Sequence, residues 1–452
     1  MNFELTIKFI DELKAALEAS DERRMIELVG DLHAADIAEV LDEIDIDDAQ
    51  KLCQILPGHK ASDVLIELEE DVREKFLEIL SPKDIAQQYI EHLDSDDAAD
   101  IIAELPEGKR ELVIDNIDDA GQASDIVDLL NYQEGTAGAL MGKELIWVSE
   151  NWSVMRSVKE MRRQAADMDQ VYSVYVVDED QKLLGLLPLK KLLLANTKAT
   201  ISNLYNPNVR RVKTYTEDNE VATIMEKYDL VALPVVDELN RLVGRITIDD
   251  VVDVIKEEAE KDYQLASGIS SDVDQSDNVW QLTRARLPWL IIGMVGGMAA
   301  AAVIGVYEES IALIPAMAFF IPLITAMAGN IGVQSSAIIV QGLANNSLEL
   351  GGILNKLRKE FIVAALNGFV LSILAFIASY LFYGDYHLGS SVAMALFTVI
   401  IVAALLGTLV PLVLDKYGID PALATGPFIT TLNDIIGLFI YFMIGQMVYT
   451  YF

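Results

Sequence analysis

The stretch Gly426-Pro-Phe-Ile-Thr-Thr-Leu-Asn-Asp-Ile-Ile-Gly437 runs directly into Leu438-Phe-Ile-Tyr-Phe-Met443, one of the most apolar parts of the chain. A carboxylate, Asp434, therefore stands in a segment that reads as lipid-embedded. A charge at that depth is costly unless something compensates it. The usual compensation is a basic residue on a neighbouring span. Spans fall at 287–306, 312–343, 361–383, 391–414 and 422–450, each meeting the requirement of roughly 20 apolar residues. Their interiors hold no Lys, Arg or His; the basic residues lie at the ends. Three states of Asp434 remain open: protonated, paired with a transported cation, or facing water. The first fits a proton relay and the other two describe a pore.

Two spans are unusually polar. The second carries Pro315, Pro322 and Gly329-Asn-Ile-Gly-Val-Gln-Ser-Ser336; the fifth carries Pro421, Gly426-Pro427, Thr430, Thr431, Asn433 and Asp434. Proline and glycine free backbone carbonyls inside a helix, which is tolerated only where protein or a wet cavity satisfies them. The plain reading of Asn330, Gln334 and Asn433 is interhelical hydrogen bonding. The sharper one is a lined pathway. Its candidate liners are hard oxygens, which suit Mg²⁺, Ca²⁺ or Mn²⁺ rather than copper or zinc. Mg²⁺ keeps several waters and takes one or two carboxylates, so a single Asp434, doubled in a symmetric pair, suits a mostly hydrated ion. Entry of a divalent ion down a negative-inside potential gains about 4.6 kcal/mol per 100 mV, enough for passive uptake. Gly293 and Gly297 form a GxxxG in the first span, a close-packing cue.

Charge divides the chain sharply. From Leu287 onward there are eight acidic and four basic residues; before it there are 62 and 30. The front is a strongly acidic soluble part, which argues against nucleic acid and for cations or plain solubility. One cysteine, Cys53, excludes a disulfide framework and a multi-thiolate metal site. Four scattered histidines exclude a zinc cluster. The first residues lack a long apolar core, which predicts no signal peptide. Arg284 and Arg286 before the first span, and Lys356, Arg358 and Lys359 between the second and third, place both positions on the cytoplasmic side. The N-terminus is then cytoplasmic and the C-terminus extracytoplasmic.

The front half reads as two architectures. Residues 1–135 have helical periodicity, with a degenerate unit at Asp36-Ile37-Ala38, Asp84-Ile85-Ala86 and Asp97-Ala98-Ala99, each four residues after a leucine (Leu32, Leu80, Leu93). This predicts stacked short helices in a small superhelix. Residues 136–250 hold a clearer repeat: Val174-Tyr-Val-Val-Asp-Glu-Asp-Gln-Lys-Leu-Leu-Gly185 aligns with Leu233-Pro-Val-Val-Asp-Glu-Leu-Asn-Arg-Leu-Val-Gly244. The tandem resembles a pair of cystathionine-β-synthase (CBS) domains, α/β regulatory modules, at 136–200 and 201–250. Residues 251–283 are an acidic connecting helix and a polar linker. On that helix Asp250, Asp253, Glu257 and Glu260 share one face, where like charges repel. A solvated linker helix is its plain reading. Residues 284–452 are the all-α membrane domain.

Taken together, the acidic helical domain, CBS pair, connecting helix and five spans, with Gly329-Asn-Ile-Gly-Val-Gln-Ser-Ser336 and Asp420-Pro-Ala…Pro427-Phe-Ile-Thr-Thr-Leu-Asn-Asp434, resemble the MgtE family of bacterial magnesium channels. The resemblance implies a Mg²⁺-selective channel in the bacterial cytoplasmic (inner) membrane, a homodimer with its pore between the two copies. It implies Asp434, Asn330, Gly329, Asn433 and Thr430 as pore residues. It further implies that the connecting helix is a plug, closed when cytoplasmic Mg²⁺ bridges acidic faces. Asp97, Glu217, Asp229, Asp250, Asp253, Glu258 and Asp420 are the matching sensor candidates. Lys261 departs from the family's acidic plug. CBS pairs often bind adenine nucleotides through a Thr or Ser followed three residues on by Asp; Thr247 and Asp250 match, whereas the first copy has Pro188 and Lys191. ATP is thus a candidate ligand of the second copy only.

Two other classes stay open on the residues alone. A proton-coupled divalent-cation exporter would use Asp434 as a titrating carboxylate. A membrane-anchored nucleotide sensor would tolerate loss of Asp434. An enzyme is disfavoured, since no nucleophile–base pair, P-loop or metal-hydrolase motif is present.

Overall fold

The computed structural model describes residues 3–166, 168, 170–270, 273, 278–344, 353–424 and 426–451. It divides into two units, Met1–Lys256 and Glu257–Phe452.

The first unit opens with short helices in succession, from Ile7–Glu18 to Ala120–Leu129. Leu56, Leu68, Leu80, Leu93 and Leu105 each end a helix in extended backbone, and all five are buried. Proline follows Leu56 and Leu105, and a residue before proline is disfavoured from helical dihedrals. Ser81 instead starts the next helix by accepting from the amide of Asp84. The degenerate repeat is therefore one helix every twelve or thirteen residues, with the buried leucine as its fixed point.

The repeat at 136–250 folds twice into the same three-stranded sheet. β1 (Trp147–Ser149) pairs parallel with β2 (Tyr175–Val177), and β2 antiparallel with β3 (Leu183–Leu186). β4 (Val212–Lys213), β5 (Ala232–Val236) and β6 (Leu242–Thr247) repeat that order. Even the irregularities recur: the register shifts at Val176/Val177 and at Val235/Val236. The two hairpin turns place Gln181 and Asn240 at φ of 64° and 63°. They also join the copies reciprocally, Leu183 N–H to Asn240 O and Leu242 N–H to Gln181 O.

The acidic helix runs Ile248–Ala266. Its start follows from local chemistry. The backbone N–H of Thr247 donates to Asp250 Oδ2 at 2.8 Å, the reach-back half of a capping box. The connecting helix is thus the closing helix of the second CBS copy. Asp272 and Asp274 to Asp277 of the polar linker lie outside the described residues.

In the second unit, five helices among the described residues are long and apolar enough to cross a membrane: Val279–Val306, Pro315–Leu343, Ile353–Tyr383, Tyr386–Lys416 and Gly426–Thr450. Pro315 and Pro421 open short 3-10 turns, Pro315–Phe320 and Pro421–Ala424, ahead of the polar segments of the second and fifth spans. Those segments lie in continuous helices, Ile321–Ala344 and Gly426–Tyr451. Pro322 and Pro427 occupy first turns, where a missing N–H costs nothing. The GxxxG cue also moves. Gly293 and Gly297 meet nothing within 4 Å, whereas Cβ on Gly296 would collide with Thr431 of the fifth span. The second and fourth spans approach at Gly407, where Cβ would lie 2.4 Å from the carbonyl oxygen of Gly332.

Candidate functional sites

The second and fifth spans together build an open groove of ≈ 510 Å³ lined by Pro322, Thr325, Ala326, Gly329, Asn330, Val333, Gln334, Thr430 and Asp434. Helical periodicity explains the second-span liners: Thr325, Gly329 and Val333, and likewise Pro322, Ala326, Asn330 and Gln334, recur at every fourth residue. Gly329 leaves the fifth span room, since Cβ there would stand 3.0 Å from Thr430 Cγ2 and 3.9 Å from Asp434 Oδ1. Asp434 Oδ1 is buried without a hydrogen-bond partner. Thr430 donates its hydroxyl to Gly426 O at 2.9 Å, which leaves its oxygen lone pairs available.

Asn433 stands apart from its neighbour. It is 2% exposed, it does not line the groove, and its Nδ2 donates to Ala328 O at 3.3 Å. Gly332 makes its space, because Cβ there would sit 1.9 Å from that nitrogen. In this chain Asn433 bolts the two lining helices together from behind. Gln334, a candidate liner on the sequence, lines the groove, and Thr325 is a liner that the sequence reading missed.

A second site lies in the first unit, in a cleft of ≈ 850 Å³ whose walls include Asp94, Asp96, Asp97, Asp249, Asp250 and Asp253. Asp96 and Asp97 occupy the first turn of the Ser95–Glu104 helix, where the macrodipole favours acids. Carboxylate oxygens of Asp94, Asp96 and Glu144 all lie within 4.8 Å of one another. Glu144 is fixed by Ser95, whose N–H donates to Oε1 at 3.0 Å and whose hydroxyl donates to Oε2 at 3.1 Å. Arg245 Nη2 reaches Asp94 at 3.2 Å.

Burial and like charge act together on this group. Burial first, then Asp250, pushes Asp96 well above the ordinary carboxylate range. The same two causes push Asp97 up to about 7. Burial also raises Glu144 and Asp250. Asp249 and Asp250 reach the cleft from the first turn of the connecting helix.

The other candidates are dispersed. Glu217 and Asp229 are exposed on the second CBS copy, outside this cleft; Asp229 adopts φ of 51°. Glu258 lies 3.6 Å from Lys261 in an ion pair. Asp420 caps its own turn, accepting from the amide of Ala422 at 2.8 Å. Its neighbour in charge is Asp262, whose carboxyl is raised by burial, then by Asp420 and Glu258. The end of the connecting helix thus meets the start of the fifth span: Cβ on Gly268 would lie 2.7 Å from Pro427 Cγ. At the nucleotide candidate, both the amide and the hydroxyl of Thr247 bond Asp250 Oδ2, so a ribose there would have to displace these contacts.

A carboxylate in a polar groove between two spans, joined by a CBS pair to an acidic helical domain, defines a membrane transporter of divalent cations. Comparison with known proteins agrees. Residues 321–444 match the family described as MgtE divalent cation transporter, 32–135 the MgtE intracellular N domain, and 137–197 and 201–257 the CBS domain. The chain is 32% identical over 451 residues to the magnesium transporter MgtE of Thermus thermophilus, covering 97% of this chain and 98% of that one. It is 33% identical over 327 residues to the magnesium transporter MgtE of Bacillus subtilis, covering 72% of each. The chain belongs to the MgtE family of magnesium transporters. Two solved structures are also similar. One is the soluble part of a magnesium transporter (27% identity, TM-score 0.50, 56% of this chain and 98% of that). The other is the cytosolic domain of the Mg²⁺ channel MgtE in complex with ATP (34% identity, TM-score 0.51, 54% of this chain and 99% of that).

Proposed function

We propose that this chain is a Mg²⁺ channel for uptake, closed by Mg²⁺ on its cytoplasmic side. The observation that carries the pore is Asp434, which lines an open polar groove between two spans and holds one buried, unpartnered carboxylate oxygen. A polar groove in a span needs water or protein across from it. A second copy related by a twofold axis supplies both, and brings a second Asp434 to share one hydrated ion. The basic ends at Arg284, Arg286 and Lys356 to Lys359 support an orientation with the acidic domains in the cytoplasm.

Closure follows from the acidic cleft. Bare carboxylates of the helical domain and of the connecting helix repel one another, and Mg²⁺ between them removes that repulsion. The connecting helix is thereby fixed at its start, and its far end packs on Pro427 at the head of the fifth span. The test is single-channel recording while Mg²⁺ at the cytoplasmic face is raised from micromolar to about ten millimolar, spanning the affinities of weak carboxylate sites. Unitary currents that disappear at high Mg²⁺ are expected. Flux that instead requires a proton gradient would establish the exporter reading.

The raised carboxyls make a further prediction about pH. Asp97 has its folded value near 7 against an ordinary 3.8, so the folded state holds the extra proton. Its stabilising contribution is complete below about pH 4 and is lost as pH rises through about 7. Mg²⁺ replaces the proton only where the proton has left. Saturating Mg²⁺ should therefore slow hydrogen exchange in the Ser95–Glu104 helix more at about pH 8 than at about pH 5.5. Equal protection at both pH values would refute cation binding at this cleft.

A further inference from the structure

The hydroxyl of Ser335 donates to Glu360 Oε1 at 2.6 Å, joining the second span to the third. That length is in the range of a hydroxyl donating to a carboxylate. Ser335 is 4% exposed and follows Gln334, a groove liner. The other described serine and threonine bonds of these spans are different. Thr325, Ser390, Ser391, Thr398, Thr430 and Thr450 all donate to the carbonyl four residues back on their own helix. Such back-bonding is the ordinary use of a helical hydroxyl in an apolar setting. Ser335 reaches across instead.

Glu360 is equally out of pattern. Lys356 stands four residues before it, with Arg358 and Lys359 beside it. The common arrangement would be an i,i+4 ion pair at the helix surface. Among the described residues, Glu360 forms no ion pair with any of the three; its partner is the buried serine. The third span packs mainly along the fourth, so backbone packing alone does little to set the second span against the third. The second span has its own need of such a fixture. It carries Gly329 and Gly332 on the faces that meet the fifth span, where a smooth surface permits rotation and sliding.

We propose that Glu360 is a positioning residue for Mg²⁺ transport: through Ser335 it holds the second span at the rotation that turns Asn330 and Gln334 toward Asp434. This rests on the reading of the groove as the ion path. Rotation by a single residue is about 100° on a helix and would carry Gln334 out of the groove. Glu360 itself touches no ion; it acts from behind the lining helix.

The test uses the full chain in liposomes, with Mg²⁺ influx and the Mg²⁺/Ca²⁺ flux ratio as readouts and melting temperature as control. Ser335→Ala and Glu360→Ala should each lower Mg²⁺ influx about tenfold to a hundredfold, as expected for one charge-assisted bond. Both should lower the flux ratio, and the double variant should be no worse than Glu360→Ala alone. Glu360→Gln keeps an oxygen that accepts from Ser335 and should retain most influx and the ratio. Loss in Glu360→Gln with Ser335→Ala unaffected would overturn the inference, because the charge would then act by itself. So would lower melting temperatures with an unchanged flux ratio. If Glu360→Ala fails to fold, Ser335→Ala and Glu360→Gln still decide. Asp434→Asn is run in parallel: lost influx there with normal Ser335 and Glu360 variants removes this inference alone, whereas normal influx in Asp434→Asn removes the groove reading.

Discussion

Asp434→Asn is expected to reduce Mg²⁺ influx about tenfold to a hundredfold while leaving the protein folded. The size follows from the interaction lost. A contact to a charged group is worth about 1.5–3 kcal/mol, and each 1.4 kcal/mol is a factor of ten. Asparagine keeps the shape and one oxygen of the side chain, so packing against Gly329 and Thr430 is unchanged. It loses the charge that substitutes for the waters a divalent ion must surrender. Folding should tolerate the change, because Asp434 Oδ1 has no hydrogen-bond partner to lose. A neutral amide at membrane depth is also less costly than a carboxylate. Asn433→Ala makes the instructive contrast. It removes the bond to Ala328 O, so its effect should appear first in melting temperature and not in ion preference. Influx through Asp434→Asn equal to that of the unaltered chain would place the ion path elsewhere.

The contrast between these adjacent residues shows where sequence reasoning ends. Both were legible as polar residues in an apolar span, and both were candidate pore residues. Neighbours on a helix point about 100° apart, so they need not face the same groove, and here Asp434 lines it while Asn433 does not. Which of the two faces it depends on how the fifth span is rotated, and that is set by Gly332 and Gly329 on another helix. Thr325 was legible in principle, since it stands four residues before Gly329. The architecture itself was readable because it rests on local signals: buried leucines before helix starts, two copies of one strand–turn–strand unit, and five long apolar runs. The acidic cleft was only partly readable. Asp97 and Asp250 were recovered by family resemblance, but Glu144 joins them through bonds to Ser95 across 49 positions, and no local pattern announces that. Asp262 was similarly hidden, as its proximity to Asp420 exists only after the connecting helix has packed against the fifth span.

Neutralising Asp97 and Asp250 together is expected to have two opposite consequences. Without Mg²⁺, Asp97→Asn with Asp250→Asn should make the protein more stable, because each carboxyl is raised by burial and Asp250 adds repulsion at Asp97. Removing two mutually repelling buried acids removes a cost that the bare fold carries. With Mg²⁺, the same variant should gain little further stability, since the ion has lost two of its ligands. Channels should then stay open at cytoplasmic Mg²⁺ levels that close the unaltered protein, with unitary conductance unchanged because Asp434 is intact. Shifting a two-state gate from 1:99 to 99:1 takes about 5.5 kcal/mol of differential binding. Loss of two carboxylates from a cluster of several should therefore move the closing concentration by about tenfold or more, without necessarily abolishing closure. The pair of readouts separates sensing from simple damage. A damaged fold would lower stability in both conditions, whereas a lost cation site raises it in the absence of Mg²⁺ and removes only the increment that Mg²⁺ supplies. Asp250 carries one complication with a clear sign: its carboxylate accepts the Thr247 N–H at the start of the connecting helix. Asparagine keeps that acceptor oxygen, so the cap survives and the effect read is that of charge. Unchanged closure and an undiminished Mg²⁺-induced rise in melting temperature in the double variant would refute the sensor role of this cleft, and would direct attention to the acidic pair Asp262 and Asp420 at the other end of the same helix.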